Sequence, residues 1–146
     1  MAAVRRADVV WEGTLARGSG KVSASSQAFS DLPVSWASRT ERSDGKTSPE
    51  ELVAAAHASC FAMALSFGLG NAGTPPERLE VSATVTFDQV DGGWKVVSSA
   101  LTVRGTVPGL DDAGFKQAAE GAKDGCPISQ ALKGNVALSV DASLES

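Results

Sequence analysis

The sequence predicts an α+β fold. Three observations carry that reading: a helix-start signal at Ser48-Pro49 ahead of a long apolar run, two alternating stretches joined at Asp91-Gly92-Gly93, and short β-type runs towards both ends of the chain. With 146 residues the chain has the length of one domain, so residues 1–146 are read as a single domain. Hydrophobic residues make up 42% of it, enough to fill a core. Tyr is absent while Ala, Val and Gly are plentiful, so that core packs small side chains and lets elements approach closely.

Taken in order, Val9–Ala16 and Lys21–Phe29 are β-type runs separated by Arg17-Gly18-Ser19-Gly20, the pattern of a hairpin. Pro33–Ser38 is a candidate third strand, and Glu41–Lys46 a polar loop whose Glu41, Arg42 and Asp44 are solvated. Next comes the best-marked element. Ser48 suits an N-cap, Pro49 the first helical position, and Glu51 completes a Ser-x-x-Glu capping box. The helix that follows, apolar from Leu52 to Leu65 and ending near Gly68 or Gly70, has no polar stripe, which predicts burial on every side. It needs more cover than one small sheet offers. Arg78–Val90 and Trp94–Val107 alternate as strands do, with Leu79, Val81, Ala83, Val85 and Phe87 on one face. Asp111–Lys123 reads as an amphipathic helix with Gly125 after its end, Pro127–Leu132 as a short helix, and Val136–Val140 as a last strand.

Charge and composition exclude several function classes. A formal net charge of −4 argues against nucleic acid as a partner and against an anionic membrane surface. The N-terminus, MAAVRRADVVWEG, lacks the apolar stretch of a secretory signal, and no run of about 20 apolar residues is expected to span a bilayer. The expected location is cytoplasmic. Two cysteines in a reducing compartment are catalytic, metal-binding or inert rather than a disulfide framework.

Cys60 lies within the apolar helix, where a free Cys is commonly a small core hydrophobe. Cys126 stands between Gly125 and Pro127 at the expected N-cap of a short helix, whose amides stabilise a thiolate; a buried structural thiol is the equal alternative. Their separation rules out a CxxC motif and leaves only a long-range pair. His57, three residues before Cys60, is read first as a hydrogen-bonded core histidine and second as a base or thiolate partner. Trp11 and Trp94 are packing residues on this reading, whereas Trp36 could line a pocket near Arg39.

Four segments together resemble the OsmC/Ohr family: Ser35-Trp-Ala-Ser-Arg39, Thr47-Ser-Pro-Glu-Glu-Leu52, Ala54-Ala-Ala-His-Ala-Ser-Cys60-Phe-Ala-Met63 and Gly125-Cys126-Pro127-Ile-Ser129. They fall in family order over essentially the whole chain, and His57 with Glu50-Glu51 is similar to the OsmC branch. The resemblance implies a fold in which the sheets of an intertwined homodimer wrap two long central helices. It implies reduction of organic hydroperoxides, and of hydrogen peroxide less well, as a defence against oxidative stress. Cys60 matches the peroxidatic cysteine, Cys126 the resolving one, Arg39 the active-site arginine and Glu50 the glutamate orienting it. Trp36, Phe61 and His57 are the expected substrate-binding residues. The expected reductant is a dithiol of the lipoyl type, and neither a metal nor an organic cofactor is expected.

The residue types suit that chemistry. A buried Cys needs a nearby cation to ionise, and Arg supplies a permanent charge with a fork of donors. The spacing adds a constraint. Glu50 and Cys60 are ten residues apart, about 15 Å along a helix and about 80° apart around it. Either the helix breaks, or Glu50 and Arg39 reach the Cys60 of a second subunit. Two other readings keep the same fold: a module binding a lipid-like molecule, and a peroxide sensor that signals through its disulfide. Retention of both cysteines with Arg39 and Glu50 favours the enzyme.

Overall fold

The structure, a computed structural model, describes residues 1–145. The chain divides into two compact units, one from Met1 to Leu52 and the other from Val53 onward.

In the first unit, β1 (Ala7–Glu12), β2 (Ser19–Ala24) and β3 (Leu32–Val34) form an antiparallel sheet in that order. The expected hairpin is present, but the turn starts earlier and β2 stops at Ala24 rather than Phe29. The expected third strand is only half right. β3 ends at Val34 and the chain turns into a short helix, α1 (Trp36–Thr40). Two serines explain the switch. The Ser35 hydroxyl accepts from the Ser38 amide at 3.1 Å, and the Ser38 hydroxyl accepts from the Ser35 amide at 2.9 Å, a reciprocal capping box. The Ser38 hydroxyl also lies 2.9 Å from the Thr47 carbonyl, to which it donates, so α1 is tied to the residues just before the long helix.

That helix, α2 (Pro49–Asn71), begins as expected, with the Glu51 amide donating to the Ser48 hydroxyl at 3.1 Å. The other half of the expected box is not formed: the Glu51 carboxylate accepts instead from the Thr47 hydroxyl at 2.7 Å. In the second unit, β4 (Arg78–Val90) and β5 (Gly93–Thr106) pair antiparallel, and β6 (Ala137–Leu144) joins β5 in parallel. Their turn needs only Asp91 and Gly92, both at positive φ, the arrangement that matches strand twist. A parallel neighbour requires a crossover, supplied by α3 (Asp112–Gly125) and α4 (Pro127–Leu132). Gly125 does not follow the helix as expected; it is the last residue of α3, and Cys126 is at once the C-cap of α3 and the N-cap of α4. β6 starts and ends later than expected because it pairs along β5 from Ser98 to Gly105.

The core of this unit packs Phe61, Leu65 and Leu69 of α2 with Leu101 and Val103 of β5 and Phe115, Ala119 and Ala122 of α3. Burying each large apolar side chain contributes about 1.5–3 kcal/mol. Gly105 on β5 sets how closely α3 approaches, since a Cβ there would lie 2.6 Å from the Phe115 ring.

Two expectations about α2 are corrected. Burial on every side does not hold within the chain: the sheet and α3 cover one face, while Met63 and Phe67 on the opposite face are 73% and 68% exposed. The apolar run is also longer than Leu52–Leu65, because Phe67, Gly68, Leu69 and Gly70 prolong it. By length and composition alone this 23-residue helix, with a mean hydropathy of 1.7, could cross a bilayer. Its covered face, however, carries His57 with polar partners.

Gly105→Ala is expected to destabilise the fold by about 1–3 kcal/mol through overpacking against Phe115. Urea unfolding monitored by circular dichroism checks this; an unchanged midpoint would mean α3 is not set by that contact.

Candidate active site

The first unit holds a fixed cation. Arg39, on α1, is paired side-on with Glu50, in the first turn of α2. Its Nε lies 3.0 and 3.1 Å from the two carboxylate oxygens and its Nη2 2.9 Å from Oε2. Such a fork sets the plane of the guanidinium as well as its position. Glu50 is 7% exposed, so the arginine neutralises a carboxylate largely removed from water. The Trp36 ring lies on another side of the guanidinium, 5.9 Å from Cζ, in a cation–π contact. Local chemistry explains the arrangement. The Ser35–Ser38 box makes α1, and its tie to Thr47 brings α1 against the first turn of α2.

Beside this pair lies a cavity of 330 Å³, walled by Val9, Trp11, Leu15, Val22, Val34 and Leu52, with Trp36 and Arg39 also lining it. Its walls are apolar and one charged group stands at its edge. That suits a molecule with a hydrocarbon body and a polar end.

The second unit holds the two cysteines. Cys60 on α2 is half-buried and Cys126 is fully buried; both are free thiols. Cys60 packs against the buried cluster that contains Cys126. Burial pushes the Cys60 thiol up, the neighbouring Cys126 thiol adds to this, and the Ile128 amide only partly offsets them. Burial also opposes ionisation of Cys126. There it is outweighed by the Cys60 thiol, the amide and hydroxyl of Ser129, and the Ile128 amide, which together hold the group below its usual range. The exposure and the ionisation therefore fall on different sulfurs: Cys60 is the one a solute can reach, and Cys126 the one whose thiolate its own surroundings favour.

His57 is fully buried, one turn before Cys60 on α2. Its Nδ1 lies 2.7 Å from the Ser99 hydroxyl and its Nε2 2.8 Å from the Ser129 hydroxyl. Both ring nitrogens thus have partners, as in the hydrogen-bonded core reading. Burial lowers its pKa, so the imidazole is neutral at pH 7. Phe61 is also fully buried, within the core cluster. Neither residue lines the apolar cavity, whereas Trp36 does. Ser99 and Ser129 were not singled out in the sequence. A signal existed for Ser99: it shares strand parity with inward-facing Leu101 and Val103, where a polar residue needs a partner. Among the described residues no three His, Cys, Asp or Glu side chains gather as a metal site requires.

Residues 42–141 match the family described as OsmC-like protein. The chain belongs to that family. It is 44% identical over 128 residues to the peroxiredoxin OsmC of Escherichia coli (strain K12), covering 88% of this chain and 89% of that one. It is 30% identical over 125 residues to the organic hydroperoxide resistance protein OhrA of Bacillus subtilis (strain 168), covering 84% of this chain and 86% of the relative. The crystal structure of the organic hydroperoxide resistance protein OhrB of Bacillus subtilis superposes with a TM-score of 0.75 at 25% identity, over 94% of this chain and 98% of that one. The OsmC-like fold expected from the sequence is therefore the fold of this chain.

The neutral His57 has a consequence for stability. An imidazole whose folded pKa lies below its unfolded value, about 6.5, binds fewer protons when folded. The stability is present above about pH 6.5 and declines as the pH falls below it. Urea midpoints at pH 7.5 and 5.5 should differ less in His57→Gln than in the wild type; an equal difference would remove His57 as the source.

Proposed function

We propose that this OsmC-like protein is a thiol-dependent peroxidase that reduces organic hydroperoxides to alcohols, and hydrogen peroxide less well, in defence against oxidative stress. The observation carrying the reading is the placing of a reachable thiol, Cys60, against the buried cluster that holds a second thiol, Cys126. The Cys60 thiolate attacks a peroxide oxygen; an S–O bond forms, the O–O bond breaks, and the alkoxide leaves as alcohol after taking a proton. Cys126, as thiolate, then attacks the Cys60 sulfur and displaces hydroxide, closing the disulfide before further oxidation. A dithiol, of the lipoyl type on this reading, reopens it.

Cys60 requires a cation, because burial alone holds its proton on. On this reading Arg39 supplies it, oriented by Glu50, and donates to the departing alkoxide as well. The apolar cavity beside Arg39 takes the alkyl body of the substrate, with Trp36 as one wall. Phe61 and His57 then contribute from behind the site, since both are fully covered.

Two observations support a homodimer with shared sites. α2 is continuous from Pro49 to Asn71, so of the alternatives left by the Glu50–Cys60 spacing the broken helix is not adopted. The exposed Met63 and Phe67 leave one apolar face of the same helix without cover. We infer that a second copy covers this face and that Arg39 and Glu50 of one chain serve Cys60 of the other. A cytoplasmic location is part of the same proposal.

With cumene hydroperoxide and excess dithiol, the wild type should turn over many times and Cys60→Ser not at all. With hydroperoxide alone, Cys126→Ser should consume about one equivalent per chain, leaving a sulfenic acid. One-equivalent oxidation of the wild type in the presence of excess dithiol would overturn the enzyme reading in favour of a sensor. Site sharing is tested separately. Mixing Cys60→Ser with Arg39→Ala chains should restore roughly a quarter of wild-type sites through hybrid dimers; activity no greater than the sum of the two parents would contradict it.

A further inference from the structure

His57, Ser99 and Ser129 form a buried polar chain that the peroxidase steps above do not use. All three side chains are sealed from solvent, at 0%, 0% and 1% exposure. They come from α2, β5 and α4, so the chain crosses three elements of the second unit. Buried polar links of this kind are kept only when every member has a partner. Here each does, at 2.7 and 2.8 Å.

Proton counting constrains what such a chain can do. A neutral imidazole has one N–H, and each serine one O–H. If Nδ1 carries the proton, it donates to Ser99, and the Ser129 hydroxyl must donate back to Nε2. If Nε2 carries it, the direction reverses: Ser99 donates to Nδ1, Nε2 donates to the Ser129 oxygen, and the Ser129 proton is available beyond the histidine. Beyond it lies Cys126, three residues earlier and at the N-cap of the same helix. Ser129 is the third residue of α4, one helical turn after the Cys126 N-cap, and its hydroxyl and amide, with the Ile128 amide, favour the Cys126 thiolate.

We propose that His57 is a positioning residue for Cys126: bridging Ser99 and Ser129, it aims the Ser129 hydroxyl at the Cys126 sulfur and so makes Cys126 the leaving sulfur when the disulfide is reopened. The inference rests on the peroxidase reading and deepens its reductive half. One thiolate of an external dithiol attacks the half-buried Cys60 sulfur. A mixed disulfide forms there, the Cys60–Cys126 bond breaks, and its electron pair stays on Cys126 as thiolate. The second thiolate of the dithiol then attacks its own bonded sulfur, releasing Cys60 as thiolate and the reductant as a cyclic disulfide. The two protons given up by the dithiol pass to solvent or to the cysteines. The better-stabilised thiolate is the faster leaving group. The buried position of Cys126 also keeps the reductant off that sulfur. His57 does this without charge, since an imidazolium in that core would lack water and a counterion.

The test uses Ser129→Ala and His57→Asn, each checked for a native circular dichroism spectrum and thermal transition. In a Cys60→Ser background, the ultraviolet absorbance of the thiolate gives the Cys126 titration midpoint, which should rise by about one pH unit in either variant. In chains retaining both cysteines, the disulfide is formed with diamide, without any peroxide, and reduced by dithiothreitol. Reduction at pH 7 should be about three- to tenfold slower in the variants, and the ratio should persist at higher pH, because only the attacking dithiol titrates. The rate of Cys60 oxidation by cumene hydroperoxide reports on the peroxidase reading alone, because neither the Cys126 titration nor the diamide disulfide depends on it. If His57→Asn does not fold, Ser129→Ala, which removes one hydroxyl, decides the matter. An unchanged Cys126 midpoint and an unchanged reduction rate in a folded Ser129→Ala protein would overturn the proposal.

Discussion

A sulfur half-buried in an apolar helix keeps its proton unless a positive charge is brought to it. Cys60 is in that position, and the influences at work in its own unit, burial foremost and then the neighbouring thiol, push it the wrong way for a nucleophile. On the proposed reading Arg39 answers this constraint. The first unit is built to present a guanidinium that cannot lose its charge, clamped by a buried carboxylate and flanked by an indole. It does so beside an apolar cavity rather than in open solvent. An arginine held that way is costly to build, because its Glu50 partner is taken out of water. A purely structural ion pair would gain little from that arrangement.

The two cysteines divide the work by burial. Cys60 is reachable and poorly stabilised as a thiolate; Cys126 is unreachable and well stabilised. On the proposed reading that asymmetry gives the reaction a direction: an oxidant meets Cys60 first, Cys126 captures the product, and a reductant again meets Cys60. The hydrogen-bonded chain through Ser129, His57 and Ser99 extends the asymmetry into the core, where it is shielded from changes at the surface.

Much of this was legible in the sequence where local chemistry decides. Ser48 and Pro49 mark the start of α2 to the residue, and Asp91-Gly92 marks the β4–β5 turn, because a cap and a positive-φ pair act within a few residues. Where two local signals compete, the reading failed. Pro33–Ser38 looks extended, yet a reciprocal Ser35–Ser38 box turns its second half into α1, and that turn is what places Arg39. Gly125 looks like a helix stop, but the helix runs through it so that Cys126 can end one helix and begin the next. The unbroken apolar character of α2 pointed to burial all round, whereas the chain by itself covers one face; a hydrophobic pattern records total burial, including any supplied by a second copy. The site residues were a different matter. Arg39, Glu50 and the two cysteines were assigned by family resemblance, since no local pattern links residues that far apart. The serines flanking His57 lie 42 and 72 positions from it, and only the folded chain brings them together.

The central claim is that the Cys60 sulfur is ionised because Arg39 is brought against it, and it is most directly tested by the pH dependence of Cys60 alkylation. In a Cys126→Ser background, the rate of reaction with iodoacetamide should titrate below neutral pH when Arg39 is present. With Arg39→Ala it should shift upward by at least about one to two pH units. A Cys60 that titrates at the same pH with and without Arg39, or that stays protonated at neutral pH in both, would contradict the account.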